Sequence, residues 1–152
     1  MTAKKELNIS AIKEGTVIDH IPPEAVFQVA DILKLDKIQD AVIVASNLKS
    51  KAMGRKGIVK ISGKMLSKEE VNKIAIVAPN ASVNIIKDYS VTKKLQVALI
   101  DEIRNSIRCS NPNCITNVEN HPTLFYVIEK EPLKVKCHYC ERYMDKKFIK
   151  IV

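Results

Sequence analysis

Residues 7–12 alternate apolar with small or polar side chains, Leu7-Asn8-Ile9-Ser10-Ala11-Ile12, the period of a half-buried strand. Gly15 breaks the run, and Thr16-Val17-Ile18-Asp19-His20-Ile21 continues extended. Pro22-Pro23 then opens a helix, since proline is tolerated in a first turn, and Val26, Val29, Ala30 and Leu33 recur at helical spacing. Residues 41–45 are apolar without alternation, which predicts a buried central strand. Residues 47–57 read as a loop dense in cations, and Ile58-Val59-Lys60-Ile61 as a third strand closed by Ser62-Gly63. Ser67 and Glu70 have the spacing of a capping box, with Leu66 and Val71 at the staple positions. Val71, Ile74, Ala75 and Ala78 give the helix its buried stripe, and Pro79 stops it. Residues 82–87 form a fourth strand, continued past a bend by Tyr89-Ser90-Val91. The order β-α-β-β-α-β is that of a ferredoxin-like α+β fold, one sheet with two helices on one face. Residues 92–107 alternate basic and apolar character, as a last strand or short helix serving as a hinge.

The cysteines change the picture beyond residue 108. All four lie there: Cys109 and Cys114 as C-x4-C, then Cys137 and Cys140 as C-x2-C. Two close pairs on two turns are the pattern of a tetrahedral four-thiolate zinc site. Ser110-Asn111-Pro112-Asn113 and His138-Tyr139 suit such turns. Four thiolates leave no position for water, so the metal is structural. Two disulfides or four unpaired buried cysteines are the competing readings, disfavoured by the lack of a secretory signal and by the clustering. Three short strands at 124–129, 133–137 and 147–152 complete a small, zinc-ribbon-like β domain. Two domains follow, 1–100 free of cysteine and 101–152 stapled by a metal, which a core of about fifty residues needs.

Charge and chemistry narrow the function. The net charge of +8 over 152 residues permits an anionic partner. No apolar run reaches membrane-spanning length, and the chain reads as cytoplasmic. No nucleophile triad, P-loop or paired carboxylates stand out, so no catalytic residue is assigned. Asp19-His20 reads either as a helix N-cap with an exposed histidine or as a small-ligand contact. Lys60 and Lys94 are either solvated strand lysines or, facing one pocket, a phosphate clamp. A zinc-ribbon nucleic-acid-binding protein is the alternative that the charge and Lys146-Lys147 favour. Only 5% of the chain is aromatic, so stacking platforms are scarce. A small enzyme built on Asp19 and His20 has no second constellation to support it.

Gly15-Thr16-Val17-Ile18-Asp19-His20-Ile21-Pro22, Asn47-Leu48, Met53-Gly54-Arg55-Lys56, Ala78-Pro79, Val83-Asn84 and the two cysteine pairs stand in one register. In these residues the chain resembles the regulatory chain of aspartate carbamoyltransferase over essentially its whole length. The resemblance implies a non-catalytic subunit of pyrimidine biosynthesis. It would form a homodimer through its nucleotide-binding domain, bridge catalytic chains and bind CTP, UTP and ATP as effectors. Carried over, Ile9, Ser10, Ala11 and Ile12 would read the base edge with backbone groups, and Asp19 and His20 would reach the sugar and phosphates. Ile58 would line the pocket and Lys60 would contact polar groups of the nucleotide. Asn84, Ile86, Tyr89 and Val91 would frame the base, with Lys94 on the triphosphate. Ser10 departs from the acidic residue of some relatives, at the position that bears on base choice. The zinc domain would dock the catalytic chain through Asn111, Asn113 and Glu141.

Overall fold

A computed structural model describes residues 11–152, so the expected strand at 7–12, with Ile9 and Ser10, lies largely outside the described residues. Two compact units divide the chain, Met1–Ala98 and Leu99–Val152.

In the first unit, five strands form one antiparallel sheet: β1 Gly15–Ile21, β2 Val42–Ser50, β3 Gly54–Ser62, β4 Ser82–Lys87 and β5 Ser90–Gln96. Their order is β2-β3-β1-β4-β5. The first four give the ferredoxin-like order expected, and β5 adds an edge. A short 3-10 turn at Pro23–Ala25 leads into α1, Val26–Ile32, and α2 spans Lys68–Val77. The capping box forms as its spacing predicts: Glu70 N–H donates to Ser67 Oγ at 3.1 Å, and Ser67 N–H to Glu70 Oε1 at 2.9 Å. Val26, Val29, Leu33, Ile74, Ala75 and Ala78 are buried. With them lie Ile18, Val59, Ile61 and Val83, the alternate residues on the helix side of the strands. Gly57 identifies that side: a Cβ there would collide with the Val26 side chain of α1. At Gly15, with φ +138°, an added Cβ would collide with the Ile61 carbonyl, so the close approach of β1 to β3 requires glycine.

Three sequence expectations are corrected here. The run 41–45 is not central: β2 is an edge of the sheet, and Val44 is 38% exposed. Apolar residues on both faces of a strand predict cover, but not which element supplies it. The supposed loop 47–57 is a hairpin in which β2 runs on to Ser50 and β3 starts at Gly54, with Lys49 opposite Arg55. Lys49, Arg55 and Lys56 sit on these strands among few large apolar residues, so no hydrophobic alternation marks them. Finally, 89–91 does not extend the fourth strand. Asp88 and Tyr89, at φ 50° and 65°, reverse the chain so that Lys87 faces Ser90 and β5 returns along β4. Such a two-residue turn ordinarily carries glycine or asparagine, and its absence hid the hairpin.

The second unit holds a four-stranded antiparallel sheet, β10-β9-β8-β6, and a two-stranded ribbon, β11-β7. The strands are β6 Glu102–Arg104, β7 Ile107–Arg108, β8 Leu124–Lys130, β9 Leu133–Cys137, β10 Tyr143–Asp145 and β11 Lys150–Ile151. A four-residue helix, α3 Ile115–Val118, follows the first cysteine pair. The strand expected at 147–152 shrinks to β11, because residues 146–148 form a 3-10 turn. Phe125, Val135, Ile107, Ile103 and Met144 make its core.

Candidate functional site: a four-cysteine metal centre and a lysine-ended sheet face

The metal centre is built from two loops. After β7, Cys109 and Cys114 flank a turn closed by Cys114 N–H donating to Asn111 O at 3.0 Å. Asn111 Oδ1 accepts from Asn113 N–H at 3.1 Å, an Asx turn of the kind this Asn-Pro-Asn segment favours. At the end of β9, Glu141 N–H donates to Cys137 O at 3.0 Å, and Cys137 N–H to Arg142 O at 2.9 Å. Glu141 takes φ 62° to close this knuckle, a left-handed conformation more often given to glycine.

These loops bring the four Sγ atoms within 4.8 Å of one another. Cys109 and Cys140 stand 3.6 Å apart, Cys114 and Cys137 3.8 Å, and all four are free of disulfides. Thiolates about 2.3 Å from a central ion at tetrahedral corners lie about 3.8 Å from each other. The donors therefore fit one tetrahedral ion.

Electrostatics point the same way. Burial pushes the Cys109 and Cys137 thiols up, and the sulfurs crowded beside them add to that. Burial opposes ionisation at Cys140 too. There, hydrogen bonds from the Arg142 backbone and the Asn111 side chain, with the Cys109 and Cys137 thiols, carry the value down to about 7. A central dication would offset the burial of these thiols and favour their ionised form.

The residues implied in effector binding converge by strand register. Val17 on β1 faces Lys60 on β3 and Asn84 on β4, and Asn84 faces Lys94 on β5. Directly opposed residues project to one face, so Lys60, Val17, Asn84 and Lys94 form a row across the sheet, on the side away from α1. Ile12, Val17, Ile58 and Ile86 pack into one apolar cluster, with Ala45 and Leu48 against it. Ile86 faces Val91, which is exposed, as is Lys94. Lys60 and Lys94 stand on strands three spacings apart, about 14 Å between backbones, at the two ends of this row.

At one margin of the row, Asp19 faces Ser82. Its carboxylate pairs with Lys56 Nζ at 2.9 Å and accepts from His20 N–H at 2.6 Å. His20, at φ 59° where the register between β1 and β3 shifts, places Nδ1 3.3 Å from Ser82 Oγ. Asp19 caps no helix, and His20 is half-buried, so the N-cap reading with an exposed histidine is corrected. Partial burial pushes the Asp19 carboxyl up, but the Lys56 ammonium and the His20 amide outweigh it and hold it below its ordinary value. Ala11 is exposed, and Tyr89 stands 65% exposed on the β4-β5 turn, its N–H donating to Lys13 O at 3.0 Å. Sequence reading missed Lys56, although it lies in the Met-Gly-Arg-Lys segment, and Val17 and Ser82, which no motif marks.

Residues 7–98 match the family model for the aspartate carbamoyltransferase regulatory chain, allosteric domain, and residues 101–150 match that for its metal binding domain. The chain is 60% identical over 146 residues to a Pyrococcus abyssi protein named aspartate carbamoyltransferase regulatory chain, covering 95% of this chain and 96% of that one. A Parabacteroides distasonis protein of the same name is 47% identical over 146 residues, covering 96% of this chain and 95% of its own. The chain belongs to the aspartate carbamoyltransferase regulatory chains. It is therefore a non-catalytic, regulatory subunit with an allosteric domain followed by a metal-binding one. In this regulatory chain the four-cysteine cluster falls inside the metal-binding match, and the row from Lys60 to Lys94 inside the allosteric match. Of the expected docking residues, Asn113 and Glu141 are exposed, while Asn111 is buried in its own turn. No helix among the described residues is long and apolar enough to cross a membrane.

Proposed function

We propose that the chain senses nucleotides in the cytoplasm and passes their signal to the catalytic chains of aspartate carbamoyltransferase, in pyrimidine biosynthesis. The observation that carries this reading is the row across the face of the first sheet away from α1. Ile12, Val17, Ile58 and Ile86, each under a tenth exposed, form an apolar cluster on that face, with Lys60 and Lys94 at the ends of the row and Asn84 between them. The margin of this cluster would take the flat ring, Asn84 would read polar edges, and lysine point charges would take the phosphates. Asp19 and His20 would reach the sugar and phosphate end, with Ile9, Ser10 and Ala11 supplying backbone groups at the base, and Tyr89 and Val91 at its rim. CTP, UTP and ATP are the effectors this reading names. Residues 1–100 would bind them.

Residues 101–152 would hold zinc on Cys109, Cys114, Cys137 and Cys140, since four thiolates at tetrahedral spacing suit that ion and close its coordination shell. This domain would dock the catalytic chain through Asn113 and Glu141, with Asn111 shaping the turn. A homodimer forms through the first unit, and the apolar residues Val42, Ile43 and Val44 on β2, an edge of the sheet among the described residues, support that contact. The signal is a shift between two quaternary arrangements, which requires nucleotides to bind the two unequally.

Calorimetric titration of the zinc-loaded chain with CTP, ATP and UTP tests the effector site, beside Lys94→Ala. Saturable binding that weakens about 10- to 100-fold in the variant is expected, the range for losing a charge-assisted hydrogen bond. Flat traces for all three nucleotides would falsify the site.

A further inference from the structure

The four ligands do not account for every polar group around the metal centre. Thr116, two residues past Cys114 on α3, is 4% exposed, and its Oγ1 lies 3.1 Å from Cys114 Sγ. Its position is fixed from three sides. Thr116 O accepts from His121 N–H at 3.1 Å. The next residue, Asn117, donates its side-chain amide to Cys109 O at 2.9 Å and to Asn111 O at 2.8 Å, tying α3 to the first knuckle. The backbone of Val118 donates to Cys114 O at 3.0 Å. A threonine buried beside sulfur can offer its methyl group or its hydroxyl, and here the hydroxyl stands within hydrogen-bond distance.

We infer that Thr116 is a positioning residue of the metal centre, its hydroxyl donating a hydrogen bond to the Cys114 thiolate and so fixing that ligand's direction and its donation to the ion. This rests on the reading that the four cysteines hold one tetrahedral ion. A metal-bound thiolate has no proton to give, so the O–H must be the donor. The bond drains negative charge from the sulfur and holds the side chain at one corner of the tetrahedron. Residues that orient a ligand in this way are commonly worth 10- to 100-fold in metal affinity.

The test compares the full-length chain with Thr116→Val, which keeps shape and loses the hydroxyl, and Thr116→Ser, which keeps the hydroxyl and loses the methyl group. Each is loaded with Co(II) for its absorption spectrum and with Zn(II) for its release rate to a chelator. Expected is a sulfur-to-cobalt band moved to lower energy and roughly 10-fold faster zinc release in Thr116→Val, with Thr116→Ser close to the unsubstituted chain on both. An unchanged band and rate in Thr116→Val would overturn the inference and leave the metal site standing. Equal changes in both variants would also overturn it, assigning the effect to the fit of the whole side chain and not to the hydroxyl. Should the unsubstituted chain take up Co(II) without a tetrahedral thiolate spectrum, the metal reading itself falls and this inference with it.

Discussion

The cysteine cluster and the face of the first sheet away from α1 are two candidate sites assembled by opposite means. At the metal centre, each pair of donors comes from a few consecutive residues: Cys109 and Cys114 around one turn, Cys137 and Cys140 around another. Only the meeting of the two turns is long-range, and an ion can enforce it. On the sheet face, Lys60, Val17, Asn84 and Lys94 come from four strands, and no two of them are near in sequence. Their alignment depends on the register of every strand pair between them. The first site is as stable as its metal, whereas the second is as accurate as its fold.

The most forceful way to break this contrast is to remove the metal. Chelation, or Cys114→Ala, should unfold the second unit, because a structural ion in so small a unit contributes on the order of 10 kcal/mol. The first unit should keep its amide protection and its nucleotide binding. Hydrogen exchange read residue by residue checks this, and simultaneous loss of protection in both units would end the idea that they are separately held.

Gly57→Ala strikes the other site through its scaffold. The new methyl group meets Val26 on α1, so β3 or the helix must shift, at about 1–3 kcal/mol. Thermal unfolding of the first unit should move down, and nucleotide affinity should fall with it, while zinc content stays full. A variant with altered zinc retention and an intact first unit would contradict the assignment of Gly57 to the helix-facing side.

Ser67→Ala should cost about 1 kcal/mol by removing one half of the capping box on α2. Because α2 packs beside α1, on the side of the sheet opposite the row of lysines, nucleotide affinity should hold. A denaturant melt beside a nucleotide titration separates the two effects.

The smallest effect concerns pH. The Asp19 carboxyl is held below its ordinary value by Lys56 and the His20 amide. Its folded pKa lies under its unfolded one, so its contribution is present above an ordinary carboxylate pKa and is lost as pH falls through the lower, folded value. The pair is partly exposed, and such pairs contribute under about 1 kcal/mol. Asp19→Asn should flatten that part of an acid titration of stability, and an unchanged profile would remove the pair from the ledger.

Much of this was legible in the residues themselves. The cysteine spacing named the ligands, because a knuckle is a local object and its donors sit side by side in sequence. Ser67 and Glu70 disclosed their cap for the same reason. The β4-β5 hairpin stayed hidden because Asp88-Tyr89 lacks the glycine that usually marks such a turn. Residues 41–45 misled because an apolar run is identical whether its cover comes from this chain or another. Thr116 carried no signal at all, since a threonine near a cysteine is ordinary until its hydroxyl is seen on the sulfur.

The sequence by itself determined the two helices of the first unit and most of its strands, the division of chemistry between the two halves, the pairing of four cysteines on two turns and the family. Those features rest on hydrophobic period, on turn chemistry and on spacings of a few residues. Only the tertiary structure decided which residues align across the sheet and on which of its faces they stand. Register is the physical reason. Moving a strand by one residue leaves its composition and alternation untouched but turns every side chain to the opposite face.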